Sequence, residues 1–381
     1  MCRFFEFSPS PLIEPAQCGT ILSIAPVSSG IFLQQKIGEP FSMNGTKKIV
    51  TALVASAVAL SLFAGCQQKT SPYLVVDGKE VAVPYVLKIG DEKISMEEYR
   101  YYYLNTKAQA EMYMGSDIWE TVPEMADNLK ATSESMIRQS RAIRKLAADN
   151  NVSLDDEDQK TIDERLASNK ESAGGEEGYQ EALTSMYLTE PLLREFIGDD
   201  ILLTKTEEAL YGPGGSEEIT DQDVTDYILG NYVRAKHVLI NKSETGDAAE
   251  NAAAKQKAQN VLAQAKNGAD FDELIKQYGQ DPGTEVYPDG YVFTKGEMVE
   301  EFETAAFELA ENGISDVVET TYGYHVLLRL PITDEYIAEN KDTYRQSMMD
   351  EKITPLLEEV YDSLTVETWE KYDTITPETV K

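Results

Sequence analysis

Residues 232–240 read YVRAKHVLI, and the organisation of the chain can be worked outward from them in both directions. From about residue 95 the apolar residues recur at helical spacing, but here β-branched and aromatic residues follow one another, which predicts a strand. An alanine-rich stretch over 248–266 then predicts a helix, and NGADFDELIKQYGQD (267–281) predicts a shorter one ending near Asp281. The turn-rich PGTEVYPDGYVF (282–293) leads into TKGEMVEEFETAAFELAENGISDVVETTYGYHVLLRL (294–330), so this α+β segment closes at Leu330-Pro331.

Beyond it, residues 334–364 return to helical spacing through Ile337, Tyr344, Ile353 and Leu357. Before it, the chain reads as successive helices. Ser95 with Glu98 makes a capping-box start, as do Ser153 with Asp156 and Thr220 with Asp223. Leu129, Met136, Ile143 and Ala147 form one apolar stripe, Thr189 and Pro191 open a further helix, and Gly212-Pro213-Gly214-Gly215 interrupts the pattern. Helices on both sides of a compact segment suggest an insertion. The expectation is an α+β protein in which residues 231–333 are inserted between a helical part at 85–230 and a returning helix at 334–381. Residues 66–84 are a polar tether followed by strands YLVV and VAVPYV around Asp77-Gly78.

The 381 residues carry a formal charge of −33. So acidic a body repels phosphate backbones, which argues against nucleic acid as a partner. It either attracts basic, unfolded clients or is simply a well-solvated surface. The three cysteines, Cys2, Cys18 and Cys66, leave everything after residue 66 without a disulfide or thiolate site. The two histidines, His237 and His325, are too few for a histidine-rich zinc site, and neither a metal nor a cofactor is expected.

Residues 43–66, MNGTKKIVTALVASAVALSLFAGC, show a positive start at Lys47 and Lys48, an apolar run and small residues before a cysteine. The run is short for a membrane span and suits a secretory signal over 43–65. The ending resembles a lipobox, which implies lipidation of Cys66 and an anchored, extracytoplasmic body. Phe63 stands where a lipobox usually has leucine, so an uncleaved signal anchor is the alternative. Residues 1–42 precede a plausible start at Met43 and suggest a mis-assigned upstream segment.

Six pieces, in order, then carry a resemblance: A-x-H-V-L-I at 235–240, G-A-D-F at 268–271, G-x-M-V-x-x-F at 296–302, A-A-F-x-L at 305–309, G-I-S at 313–315 and T-x-Y-G-Y-H-V at 320–326. Together they make residues 231–333 resemble parvulin-type peptidyl-prolyl isomerases. The resemblance implies a small antiparallel sheet with surrounding helices. It implies that His237 and His325 meet from adjacent strands, with Asp281 and Thr320 completing a catalytic group. Met298 and Phe302 would line the prolyl-ring pocket from one helix face, with Phe293 and Tyr322 as further substrate-binding candidates and Tyr324 at the rim or core. Each also has a plain core or capping alternative. Gly279 and Gly290 depart from the pattern. Gly290 stands where a pocket leucine is usual, and Tyr291 or Val292 would have to refill it.

The wider arrangement is similar to PrsA-type foldase lipoproteins and SurA-like chaperones, which implies a helical part that holds unfolded exported proteins. Tyr99, Tyr101, Tyr102 and Tyr103 would serve either client contact or helix packing. The function implied is prolyl isomerisation and chaperoning of exported proteins. The alternatives are a holdase with an inactive isomerase domain, or a solute-binding lipoprotein with two parallel α/β lobes.

Overall fold

The computed structural model describes residues 74–381, so the signal-like segment and Cys66 lie outside the described residues. These residues form two compact units, one of 74–209 with Ile353–Lys381 and one of Leu210–Lys352.

The first unit begins with the hairpin β1 (Leu74–Val76) and β2 (Lys79–Val81). Asp77 and Gly78, at φ 49° and 73°, supply the two positive dihedrals that a tight two-residue hairpin turn requires. β3 (Leu87–Ile89) pairs antiparallel with β4 (Glu92–Ile94) and, on its other edge, with the strand Val366–Thr368 near the C-terminus. Besides the single turn Ile118–Thr121, five longer helices follow: α1 (Met96–Met114), α2 (Glu124–Asp149), α3 (Asp156–Ser172), α4 (Glu176–Ser185) and α5 (Glu190–Tyr211). Leu87, Ile94, Tyr99, Tyr103 and Ile137 are fully buried here beside Trp369 and Ile375 of the C-terminal segment, so the last residues of the chain complete this core.

Tyr99 and Tyr103 are therefore packing residues and are closed to clients. Tyr101 and Tyr102 lean on Phe196 at 4.9 and 5.7 Å. Half of the expected box at Ser95 forms, its hydroxyl accepting the Glu98 N–H at 3.1 Å. The Glu98 carboxylate instead turns inward to Arg141 at 2.7 Å, because α2 presents a buried cation there. The cap of α3 is Asp155 with Asp158, a full capping box, in place of Ser153 with Asp156. Thr220 and Asp223 form the box expected of them.

The second unit is built on a four-stranded antiparallel sheet. Its strands are β5 (Val233–Asn241), β6 (Tyr291–Phe293), β7 (Val318–Glu319) and β8 (Gly323–Leu330), in the order β6-β5-β8-β7. Alternation divides its residues between two faces. Val238, Ile240, Tyr324 and Val326 pack under α7 (Ala248–Lys266) and α8 (Phe271–Tyr278). Val233, Ala235 and Leu327 face the other way, toward Phe293 and the helix α9 (Glu300–Glu308). α6 (Asp221–Asn231) and the first part of the long helix α10 (Asp334–Ser363) stay with this unit. They join through Tyr227 Oη on Glu351 at 2.8 Å and the ion pair of Arg345 with Asp221. The sheet unit is thus wider than 231–333. The sheets pair antiparallel throughout the described residues, which removes the two-lobed parallel alternative.

Candidate active site

His237 lies on β5 and His325 on β8, in the central strand pair. His237 stands opposite Leu327 and Leu239 opposite His325, so the two imidazoles sit two residues apart along the pair and on the same face. Their rings stack 5.2 Å apart, 10° from parallel, and Nδ1 meets Nδ1 at 3.0 Å. His237 Nε2 reaches Asp281 Oδ2 at 2.8 Å, and His325 Nε2 reaches Thr320 Oγ1 at 2.8 Å. Asp281 Oδ2 also accepts from Tyr291 Oη at 2.6 Å, and its Oδ1 accepts the Gly283 N–H at 3.1 Å. Both histidines and Thr320 are buried.

The electrostatics follow from burial and partners. Burial lowers the His237 pKa, opposed by the Asp281 carboxylate. Burial and then the adjacent His237 bring His325 down to about 4. Burial alone would raise Asp281, but hydrogen bonds from Tyr291, His237 and the Gly283 amide outweigh it and hold the carboxyl below its usual value. At neutral pH the arrangement is two neutral imidazoles and one carboxylate.

That state fixes the direction of every bond. An ionised carboxylate can only accept, so His237 carries its proton on Nε2 and its Nδ1 is an acceptor. His325 must then donate from Nδ1, which leaves its Nε2 to accept the Thr320 hydroxyl proton. Thr320 Oγ1 in turn accepts the Tyr322 N–H at 3.1 Å. The chain Tyr322 N–H to Thr320 to His325 to His237 to Asp281, with Tyr291 donating to the same carboxylate, leaves no polar atom of the pair unmatched.

Phe302 stands edge-on to both imidazoles, at 5.1 Å from His237 and 5.4 Å from His325. Phe293 packs on Phe302 at 5.8 Å but is 1% exposed, so it supports Phe302 and offers a ligand no surface. Met298 joins the same apolar cluster and is partly buried. It does so from the loop before α9, whose N-cap is Val299, so the shared helix face expected for Met298 and Phe302 does not exist. Tyr322 is 65% exposed, and it joins this group through its amide. Tyr324 belongs to the opposite face of the sheet. The sequence did not assign Tyr291 a bond to Asp281. Nine residues, 282–290, separate the two, and only the folded loop brings them together.

Gly290 is not an emptied side-chain position. It adopts φ +95°, and a Cβ there would lie 3.0 Å from the Ala235 carbonyl, so the turn itself demands glycine. Next to it, a cleft of about 480 Å³ opens between α8 and residues 282–290, with His237, Asp281, Gly290 and Tyr291 among its walls but neither Met298 nor Phe302. Among the described residues no cluster of potential metal ligands occurs.

A sheet floored by a buried imidazole pair, flanked by a phenylalanine edge and a carboxylate, defines a parvulin-type isomerase module. Accordingly, residues 225–329 match the family model of the PPIC-type PPIase domain, and residues 41–207 match that of the SurA-like N-terminal domain. The relatives with which the chain aligns are foldase proteins named PrsA. It is 34% identical over 204 residues to the foldase protein PrsA of Halalkalibacterium halodurans, covering 51% of this chain and 54% of that one. To the PrsA of Caldanaerobacter subterraneus it is 27% identical over 325 residues, covering 84% and 94%. The match with the Geobacillus kaustophilus PrsA is 32% identical and spans 50% of this chain and 64% of that relative, so the alignments with the Halalkalibacterium and Geobacillus proteins reach little more than half of their length. The crystal structure of a Bacillus cereus peptidylprolyl isomerase (PrsA) is similar over 62% of this chain and 83% of that one, at 20% identity and a TM-score of 0.36.

Proposed function

We propose that this chain isomerises X–Pro bonds in unfolded exported proteins and shelters those clients, working from a lipid anchor at Cys66 on the outer side of the membrane. The observation that carries the isomerase reading is the closed hydrogen-bond chain through His237 and His325 beside Phe302 and the partly buried Met298. Rotation about a prolyl bond is opposed by amide resonance worth about 18–20 kcal/mol and breaks no covalent bond. A catalyst needs an apolar seat for the pyrrolidine and a fixed polar field that favours the twisted amide. Met298 and Phe302 would form the seat. Asp281, His237, His325 and Thr320 would hold the field, the histidines as positioning residues whose donors and acceptors are all turned inward.

Export and anchoring rest on residues 43–66, with their positive start, apolar run and terminal Ala64-Gly65-Cys66. No helix among the described residues is long and apolar enough to cross a membrane. Clients would be unfolded chains, in keeping with the foldase relatives and with the acidic body.

Exchange NMR on a short proline peptide tests the isomerase reading. The wild type should accelerate exchange, and Phe302→Ala and the double variant His237→Ala, Met298→Ala should lose at least tenfold. A wild type no faster than the double variant refutes it. That outcome would favour the holdase alternative, which has one observation on its side: the satisfied histidine pair leaves no side-chain donor free for a substrate carbonyl. Palmitate labelling that survives Cys66→Ser would refute the anchor.

A further inference from the structure

The edge of the sheet beside His237 carries a gap in its hydrogen-bond ladder. In an antiparallel pair, residues opposite one another either exchange both backbone bonds or both turn outward. Leu327 donates its N–H to Ser315 Oγ and accepts the Ser315 N–H on its carbonyl, both at 2.9 Å. Arg329 exchanges bonds with Asn312 and Gly313 in the same outward sense. Their partners across the register, His237 and Ala235, must therefore direct their own N–H and C=O away from β8, toward the β6 edge.

Along that edge Ala235 stands opposite Tyr291, and the Leu239 carbonyl accepts the Gln280 N–H at 3.0 Å. Continued by two residues, the β6 register would put Asp289 opposite His237. It does not get there. Gly290, at φ +95°, turns the chain out, its N–H goes to the Tyr287 carbonyl, and the Asp289 carbonyl is taken by Arg234 Nε at 2.7 Å. Among the described residues no group bonds the outward backbone N–H and C=O of His237. His237 is also one wall of the cleft of about 480 Å³ between α8 and the 282–290 turn.

We propose that this notch is a main-chain docking site, in which one residue of an extended client segment enters the cleft and exchanges two backbone hydrogen bonds with His237. A donor and acceptor on the same residue, spaced and oriented as in a sheet, are complemented by a peptide backbone in the β conformation. The charged walls argue for the same occupant. Lys236 is held by Asp272 at 2.6 Å, and Asp281 is held by His237 and Tyr291. With those two charges matched, Lys276 and Glu285 are the cleft's other charged residues, and the backbone pair of His237 is what an extended segment of any sequence can engage. The inference rests on the isomerase reading for its substrate class and adds the means by which residues flanking the proline are held.

The test uses the full chain and a set of ten-residue proline peptides, each N-methylated at one backbone position on either side of the proline. Binding is followed by NMR titration, with exchange of the His237 amide as a second readout. One N-methyl position should weaken binding about tenfold, the magnitude expected when one or two main-chain bonds are lost. The unmethylated peptide should slow exchange of the His237 amide. Turnover of a tetrapeptide carrying the N-methyl group at the sensitive position, which forfeits the notch bonds, is the control: it persists if the isomerase reading holds, whatever happens to the dock. Peptides that perturb Met298 and Phe302 signals yet leave the His237 amide unprotected, with no sensitive N-methyl position, would overturn the dock alone. Loss of tetrapeptide turnover would overturn the isomerase reading instead.

Discussion

Acidification should destabilise the sheet unit through His325, and His325→Gln should remove most of that sensitivity. His325 is 4% exposed, and burial followed by the neighbouring His237 takes its pKa from 6.5 to about 4. In the unfolded chain the imidazole regains its ordinary value. Between those two values the unfolded state holds a proton that the folded state refuses, so stability is full above about 6.5 and falls as pH drops toward 4. At about 1.4 kcal/mol per pH unit, the interval amounts to about 3 kcal/mol. His237 is lowered too and acts with the same sign, whereas Asp281 contributes only below its ordinary 3.8. Protonation would also reverse the bond between the rings, because an imidazolium at His237 must donate from Nδ1. Glutamine at 325 keeps a donor and an acceptor without titrating. Urea unfolding at pH 7 and pH 4.5, followed by the methyl signals of Val238 and Val326, reads this unit alone. Trp119 and Trp369 belong to the other unit, so tryptophan fluorescence gives an internal control that His325→Gln should not move. An equal acid sensitivity of the Val238 and Val326 transition in wild type and variant, or a His325 titration near 6.5, would refute the reasoning.

Gly290→Ala should cost on the order of 1–3 kcal/mol in a urea melt, since the position needs φ +95° and a Cβ would press on the Ala235 carbonyl; a neutral result would mean that the turn relaxes freely. Glu98→Ala leaves the Arg141 guanidinium, 5% exposed, with the half-exposed Glu92 carboxylate at 2.7 Å and the Ser140 hydroxyl at 3.1 Å, and should cost about 2–4 kcal/mol by tryptophan fluorescence. The double change Glu98→Leu, Arg141→Leu should recover part of that loss, and an additive double variant would deny the pairing. Ending the chain after Thr365 removes the strand Val366–Thr368 together with Trp369, Ile375 and Val380 of the core. The first unit should then lose its cooperative circular-dichroism melt while the His237 and His325 imidazole signals persist.

How much of this was legible follows from which interactions are local. Helix and strand types came through because periodicity is written residue by residue: α7 begins and ends where the alanine-rich run does, and β5 is the stretch read as strand shifted by one residue. The meeting of His237 and His325 was legible only through the resemblance, because 88 residues separate them and nothing in either strand names its partner. Caps were legible where the competing partner was absent. Thr220 and Asp223 close their box, whereas Glu98 abandons its own for Arg141, a buried cation 43 residues away. The spacing of Met298 to Phe302 suits one helix face, yet the chain spends Met298 and Val299 on the entry to α9. Tyr291 was invisible as a partner of Asp281 because a hydroxyl–carboxylate contact across a turn leaves no periodic trace.

The closed hydrogen-bond chain also constrains how the site can act. His237 cannot serve as a base from Nε2 while that atom donates to a carboxylate, nor from Nδ1 while His325 donates to it. For His325 to donate outward, it would have to give up a bond to His237 or to Thr320 in a place where an unmatched polar atom costs about 1–3 kcal/mol. Proton transfer is therefore the expensive route, and prolyl rotation does not require it. What the arrangement supplies is fixity: stacked rings, a carboxylate gripped by three donors and an edge-on Phe302 hold the groove walls and their dipoles in one geometry. A preorganised field lowers a barrier without reorganising during the reaction. Burial serves that end directly, since it keeps both imidazoles neutral and thereby keeps every bond in the chain pointing one way.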